Sequence, residues 1–355
     1  MSRFLNEKFS SLEAYTPGEQ PKDMKYIKLN TNESPFSPSA GVLSAVNKDE
    51  VAKLRLYPDP EASDLKKAIA ELYGVGKDNV FISNGSDEIL NFTFMAFFDD
   101  KGVVFPEISY GFYKVYADLY RIDYKMIPLC DDFSINYKDY LGTGKNVVIA
   151  NPNAPTGMTL SVSEIEEIVA TNRDAIVLID EAYVDFGAES AVGLINKYEN
   201  LLVTGTFSKS RSLAGARLGF GIGCAALIQD LNTIRYSTNP YNVNRMTMSA
   251  GVAAVADNEY FMDNCRIIIK NREWVKGKLS SLGFELTDSK ANFVFAKSDM
   301  IGGEQLYKEL KERGVLVRHF NGERIKDYCR ITVGTRSEME RLVSEIESIL
   351  KEKEE

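Results

Sequence analysis

Residues 175–183 read Ala-Ile-Val-Leu-Ile-Asp-Glu-Ala-Tyr, an unbroken apolar run that ends in two carboxylates and a tyrosine. Such a run suits a strand that is buried on both faces of a parallel or mixed sheet. A carboxylate at a strand end, here Asp180, can be a metal ligand, a base or a structural cap. Because open α/β sheets bind ligands outside the carboxyl ends of their strands, the stretch predicts a ligand site as well as a sheet.

Short apolar runs and stretches of helical periodicity alternate on both sides of this segment. Strands are predicted at 80–83, 103–105, 146–150, 201–204 and 218–222, and helices near 61–73, 88–98 and 111–120. This alternation predicts an α/β fold whose large domain has a mostly parallel central sheet.

The pattern changes after a long helical stretch at 244–281. Strands are then predicted at 293–295, 315–317 and 330–333, and helices near 303–313 and from 337 onward. We therefore predict a large domain over 44–255 and a smaller α+β domain over 256–355. The loop-rich N-terminal arm, residues 1–43, is predicted to be part of the smaller domain.

The composition excludes several classes of function. The formal net charge is −9, with 51 acidic against 42 basic residues, which argues against nucleic acid or an anionic membrane as the main partner. The single histidine, His319, rules out a multi-histidine zinc site, and we predict no metal. We expect His319 to be structural and the working base to be a lysine, tyrosine or carboxylate.

The cysteines and the N-terminal segment bear on the compartment. The four cysteines have neither metal-ligand nor redox spacing, which favours reduced thiols. Arg3, Glu7 and Lys8 interrupt the N-terminal segment, so we expect no signal peptide, and no apolar run is long enough for a membrane span. These observations predict a cytoplasmic protein.

Two further motifs suit an anion. Asn84-Gly85-Ser86-Asp87-Glu88 lies between a predicted strand and helix, where free amides at the helix N-terminus favour a phosphate. A plain helix cap without a ligand is the alternative. Thr206-Phe207-Ser208-Lys209 follows another strand, and Arg217 comes eight residues later. That pattern suits a reactive lysine beside an anion site, and a solvated loop lysine is the alternative.

These elements occur in the order found in the aspartate-aminotransferase superfamily, the fold type I enzymes that use pyridoxal phosphate. Over nearly its whole length the chain resembles the histidinol-phosphate aminotransferases. The matching stretches are 29–35, 57–59, 84–88, 151–157, 180–183, 206–209, 213–219, 240–244, 291–293 and 330–335. The resemblance implies a homodimer that transfers an amino group between histidinol phosphate and 2-oxoglutarate with pyridoxal 5′-phosphate.

The resemblance also implies a role for each matching residue. Lys209 would form the Schiff base and move the proton, and Asp180 would pair with the ring nitrogen. Tyr183 would hydrogen-bond the phenolic oxygen, and Tyr110 would stack on the ring. The residues expected around the cofactor's phosphate are Ser86, Asp87, Ser208, Arg217 and, from the partner subunit, Tyr57, and Thr206 is also expected to contact the cofactor. The residues expected to bind the substrate are Tyr15, Asn32, Arg318 and Arg330.

The chain departs from the family pattern at two positions. The family usually has an asparagine before Pro155, where this chain has Ala154, so Asn153 becomes the candidate for that contact. Glu107-Ile108 stands where the family more often has proline and threonine.

Other readings remain open. A threonine-phosphate decarboxylase and an aromatic aminotransferase share the scaffold. A non-catalytic cofactor-binding module of a regulator would need a DNA-binding extension, and none is visible. A nicotinamide-dependent dehydrogenase would need a G-x-G-x-x-G motif after the first strand, which is missing.

Overall fold

A computed structural model describes the chain over residues 3–9 and 12–354. Met1 and Ser2, on which part of the signal-peptide expectation rests, lie outside the described residues, as do Ser10, Ser11 and Glu355. The helices are α1 Ala40–Ala45, α2 Lys48–Ala52, α3 Ser63–Tyr73, α4 Ser86–Phe97, α5 Phe112–Tyr120, α6 Val162–Thr171, α7 Ala225–Thr238, α8 Arg245–Ala256, α9 Asn258–Ser281, α10 Gly303–Glu312 and α11 Arg336–Glu354. The strands are β1 Ile27–Lys28, β2 Val80–Ser83, β3 Val103–Pro106, β4 Tyr124–Ile127, β5 Asn146–Ala150, β6 Val177–Asp180, β7 Leu201–Thr206, β8 Gly219–Gly223, β9 Phe284–Leu286, β10 Phe293–Ser298, β11 Val315–Leu316, β12 Arg318–His319 and β13 Tyr328–Thr332.

The larger sheet is mostly parallel, as the sequence predicts. Its order is β2-β8-β7-β6-β5-β3-β4, and only β8 runs antiparallel to its neighbours. Every residue of β5 and β6 is buried, because apolar side chains pack on both faces of these strands. Because β5, β6 and β7 are parallel neighbours, their carboxyl ends meet at one edge of the sheet, where Ala150, Asp180 and Thr206 lie.

The smaller sheet is antiparallel, in the order β12-β13-β10-β9. It shares a separate apolar core with α9, α10 and α11. The N-terminal segment reaches this region, since β1 pairs in parallel with β11. The domain boundaries at residues 43 and 255 stay a prediction. Among the described residues, no helix has the length and apolar character needed to cross a membrane.

The helical stretch predicted over 244–281 is two helices, and α8 ends where Asp257 leaves the helical path. The Asp257 carboxylate accepts a hydrogen bond from the Ser39 hydroxyl at 2.6 Å. It also lies so close to Gly41 that a Cβ there would be 2.3 Å from its Oδ2 atom. This break depends on contacts with α1, more than 200 residues away in sequence, so periodicity alone does not reveal it.

Candidate active site

A cavity of about 520 Å³ opens at the carboxyl ends of β5, β6 and β7. The predicted site residues that line it are Ser86, Asp87, Tyr110, Asp180, Tyr183, Thr206, Ser208, Lys209 and Arg217. They come from segments that are far apart in sequence. The sheet brings them together because each segment follows, or packs against, a strand end.

One end of the cavity is built for an anion. Helix α4 begins at Ser86, and Gly85 before it adopts a φ of +76°. A Cβ on Gly85 would lie 2.6 Å from Nη2 of Arg217, so glycine lets the guanidinium approach the helix N-terminus. Arg217 forms an ion pair with Asp87 at 3.0 Å, and Ser208 supplies a hydroxyl nearby. Free amides, a hydroxyl and a guanidinium are the donors that bind a phosphate.

Asp180 lies at the other end of the cavity and is buried, with 4% of its surface exposed. Burial raises the pKa of its carboxyl to about 6, although hydrogen bonds from the Tyr113 hydroxyl and the Ala182 amide lower it. These bonds measure 3.0 and 3.3 Å. Among the described residues no basic side chain forms an ion pair with Asp180. A buried carboxylate without a cation fits a protonated ring nitrogen, so the residues present suit pyridoxal phosphate.

Lys209 lies between these two ends. Its ammonium group donates a hydrogen bond to the Thr31 carbonyl at 3.2 Å and lies 5.8 Å from the centre of the Tyr183 ring. Asn32 is buried, and its amide donates to the Tyr183 hydroxyl at 2.9 Å. The structure therefore gives Asn32 a contact with Tyr183 and no place among the residues that line the cavity.

Aromatic rings form one wall. The Tyr110 hydroxyl donates to Asp87 at 2.8 Å, and burial together with Asp87 holds the Tyr110 pKa above its usual value. Tyr15 stacks on Phe112 at 4.2 Å and meets Tyr110 edge-on at 6.1 Å. The N-terminal arm thus covers the wall that contains Tyr110.

The two predicted substrate arginines lie next to this wall. Arg318 pairs with Arg330 in the β12–β13 register. Arg330 donates to the Asn30 carbonyl at 3.0 Å, while its buried Nε atom has no hydrogen-bond partner among the described residues. Burial lowers the Arg330 pKa. Arg318 donates to the Thr16 and Pro17 carbonyls, both at 3.3 Å.

Asn153 is not among the residues that line the cavity, and its predicted cofactor contact stays a prediction. It is fully buried, and its amide group is saturated by Ile108, Ser109 and Thr156. Ala154, the residue that replaces the family asparagine, lines the cavity instead and offers only a methyl group.

Tyr57 also lies outside this chain's own cavity. Its side chain is 77% exposed and stacks on Tyr241 at 4.5 Å.

Sequence reasoning missed four polar residues of the site. Tyr113 donates to Asp180, and Gln20, Thr31 and Glu33 line the cavity. Tyr113, the second residue of α5, follows Tyr110 by three positions, and the two rings meet edge-on with their centroids 5.8 Å apart. Tyr110 precedes the helix, so helical periodicity alone does not predict this contact. Gln20 and Glu33 belong to the loop-rich arm, where the sequence has no periodicity that predicts which way a side chain faces.

The chain is similar to known proteins over its whole length. A model of the aminotransferase class I and II family matches residues 24–346. Histidinol-phosphate aminotransferase of Brachyspira hyodysenteriae is 53% identical over 354 residues, covering 99% of this chain and all of the relative. Histidinol-phosphate aminotransferase of Clostridium acetobutylicum is 47% identical over 351 residues, covering 99% of this chain and 100% of the relative. A Sinorhizobium meliloti histidinol-phosphate aminotransferase, solved with pyridoxal-5′-phosphate, shares the fold with a TM-score of 0.85 at 23% identity, over 92% of each chain.

Proposed function

The chain belongs to the class I and II aminotransferase family, and from this we propose that it transfers an amino group from histidinol phosphate to 2-oxoglutarate, yielding imidazole acetol phosphate and glutamate. The names of relatives at 53% and 47% identity over the full length support this substrate. The structural observation that carries the proposal is that Arg318 and Arg330 lie directly opposite each other on the antiparallel strands β12 and β13. Two guanidinium groups side by side suit the dianion of a phosphate monoester or the carboxylates of 2-oxoglutarate.

The cofactor is pyridoxal 5′-phosphate, which when bound supplies a carbonyl carbon that joins to amines and a ring that accepts electrons. The amides of Ser86 and Asp87, the Ser208 hydroxyl and Arg217 would hold its phosphate. Asp180 would hold the proton on the ring nitrogen, since a carboxylate with a pKa raised to about 6 is still ionised at neutral pH.

Three further side chains orient the reacting groups. Tyr110, anchored by its hydrogen bond to Asp87, would cover one face of the ring. Tyr183, held by Asn32, would hydrogen-bond the ring's phenolic oxygen. Lys209 would move the proton, since its amine lines the cavity and, among the described residues, has only the Thr31 carbonyl as hydrogen-bond partner. Its Nζ atom would take the proton from the amino-bearing carbon of the substrate and pass it on during the amino transfer that the cofactor supports.

We further propose that the protein works as a homodimer in which Tyr57 enters the partner's cavity and binds the cofactor's phosphate. The segment before Tyr57 supports this, because its apolar side chains are exposed. They are Leu43, Val51, Leu54 and Leu56, with exposed fractions of 64, 49, 52 and 48%. Clustered apolar exposure is typical of a protein interface.

We infer a cytoplasmic location. The support comes from Cys130, Cys224, Cys265 and Cys329, whose thiols are all free. Free thiols are usual where the environment is reducing.

The function is tested by steady-state turnover on histidinol phosphate, phenylalanine and threonine phosphate side by side, each with 2-oxoglutarate. We expect histidinol phosphate to be the preferred substrate, and glutamate to form in an amount equal to that of imidazole acetol phosphate. Release of carbon dioxide from threonine phosphate without glutamate would instead indicate a decarboxylase. A preference for phenylalanine would indicate an aromatic aminotransferase.

A further inference from the structure

Glu107, where the chain departs from its family's usual sequence, forms an ion pair that joins the two sheets. It follows β3 directly, and its backbone amide continues the β3–β4 ladder by donating to Ile127 at 2.9 Å. Its carboxylate pairs with Arg324, which lies 217 residues later in the connection between β12 and β13. Neither Glu107 nor Arg324 is among the residues proposed to contact the cofactor or the substrate.

Arg324 makes more than one contact across the gap. Its guanidinium donates to the carbonyls of Leu129 and Cys130 at 3.2 and 3.0 Å, just after β4. The Leu129 amide in turn donates to the Glu107 carboxylate at 3.2 Å. Arg324 also lies over the Phe133 ring, with 5.5 Å from the guanidinium carbon to the ring centre. Such a multiply bonded guanidinium defines a position more sharply than a simple surface pair.

Both ends of this link lie close to residues proposed to meet the ligands. On one side, Glu107 begins the short segment that leads to Tyr110. Asn153 holds that segment from its other side, by donating to the Ile108 carbonyl at 2.9 Å and accepting from Ser109 at 2.7 Å. The backbone before Tyr110 is therefore clamped between Asn153 and Arg324.

On the other side, Arg324 lies in the connection that begins with Phe320. The Phe320 ring lies within 6 Å of both guanidinium carbons of the arginine pair, at 5.8 Å for Arg318 and 5.7 Å for Arg330. Ile325, the residue directly after Arg324, is buried in the core of the larger sheet. Movement of Arg324 would consequently move Phe320, whose ring lies against both arginines.

We propose that Glu107 and Arg324 are positioning residues that set how far the Arg318–Arg330 pair stands from Tyr110, and so tune the enzyme for the length of its anionic substrate. The inference rests on the proposed function. Neither residue contacts a reacting atom. Their loss should therefore weaken binding of the phosphate group more than it slows proton transfer at Lys209.

The experiment compares Glu107→Gln, Arg324→Gln and the double variant Glu107→Gln/Arg324→Gln as holoenzymes. We expect each single variant to raise KM for histidinol phosphate about fivefold, as for loss of about 1 kcal/mol, with kcat within about twofold of wild type. The double variant should raise KM no further than the more affected single variant, because both changes break the same link. Glu323→Gln is the matched control, because the Glu323–Lys326 pair lies in the same connection and does not cross to the other sheet.

A second measurement does not need turnover. Inorganic phosphate should raise the melting temperature of the wild-type holoenzyme, and the single variants should need about fivefold more phosphate for the same shift. If wild type does not use histidinol phosphate, the proposed function fails, while this phosphate measurement still tests the positioning role.

Three outcomes would overturn the inference. The first is a KM in the single variants equal to that of Glu323→Gln, and the second is an unchanged phosphate response. The third is a fall in kcat as large as the rise in KM, together with a lower melting temperature, which would mark the pair as a structural contact only. Should a single variant fail to fold, Glu107→Asp and Arg324→Lys give the same test with a smaller change.

Discussion

Arg318 and Arg330 lie directly opposite each other on antiparallel strands, with no carboxylate paired to either among the described residues. Like charges in opposite positions of a sheet destabilise it. Among the described residues, each guanidinium donates hydrogen bonds only to backbone carbonyls, which carry no formal negative charge. An anionic ligand between them would offset the repulsion, so this pair is the feature by which the protein would select its substrate.

Arg330→Lys should lower kcat/KM for histidinol phosphate by about a hundredfold or more, with cofactor content unchanged. Lysine keeps the charge but loses the planar fork. Each lost charged hydrogen bond costs about 1.5–3 kcal/mol, and a factor of ten corresponds to about 1.4. Arg318→Lys should act in the same direction. Kinetics within threefold of wild type in both variants would exclude these arginines as the anion clamp and favour a neutral substrate side chain.

Lys209→Ala should abolish transamination and leave the fold intact, because the side chain lines a cavity and, among the described residues, its one hydrogen bond is to the Thr31 carbonyl. Wild-type protein should be yellow, and borohydride should fix the cofactor on Lys209. Peptide mapping by mass spectrometry checks the position. An adduct on any other lysine would refute the assignment.

Asp180→Asn should reduce the transamination rate far more than the cofactor content. An amide cannot hold the proton on the ring nitrogen, while Ser208, Arg217 and the α4 N-terminus still hold the phosphate. Rate and bound cofactor are measured on the same preparation. Equal losses in both would make Asp180 a structural residue.

Asp180 should also make the cofactor-free protein less stable as the pH rises. Its folded pKa of about 6 lies above the value of about 3.9 in an unfolded chain, so the unfolded state ionises first. Stability is therefore lost between about pH 4 and pH 6, by about 3 kcal/mol in all, at about 1.4 kcal/mol per pKa unit.

Asp180→Asn removes this loss. The free energies of unfolding of the wild-type and variant apoproteins should be similar at pH 4 and should diverge in favour of the variant by pH 7. Asp100→Asn, at an exposed carboxylate, is the control and should show no such divergence. A constant difference at all pH values would mean that ionisation of Asp180 is not the cause.

Tyr57→Phe should leave a dimer intact and raise the dissociation constant of the cofactor about tenfold, as for loss of one charged hydrogen bond. Sedimentation gives the oligomeric state, and spectral titration of the apoprotein gives the affinity. Tyr236→Phe is the control, since Tyr236 is also exposed and bonds to Glu61 of its own chain. A monomeric wild type, or unchanged affinity in Tyr57→Phe, would contradict the proposed role.

Parts of the site were predictable because they are properties of short segments. Continuous apolar runs identified the buried strands, and Asp180 and Lys209 stood out because polar residues follow those runs directly. Helices α1, α2, α6 and α7 and strands β1, β4, β9 and β12 lie outside the predicted elements. Two of the four residues in β4 are exposed, so it lacks the apolar run that marked the other strands.

The sequence by itself determined the α/β order of strands and helices, the positions of the strand-end motifs and the resemblance that they carry. Only the tertiary structure decided which side chains meet. It placed Asn32 on Tyr183, 151 residues away, and Glu107 on Arg324, 217 residues away. It also withdrew Asn153 into a saturated hydrogen-bond network and left Tyr57 exposed. The physical reason is that periodicity follows from local backbone geometry, whereas a side chain's partners depend on how remote segments pack.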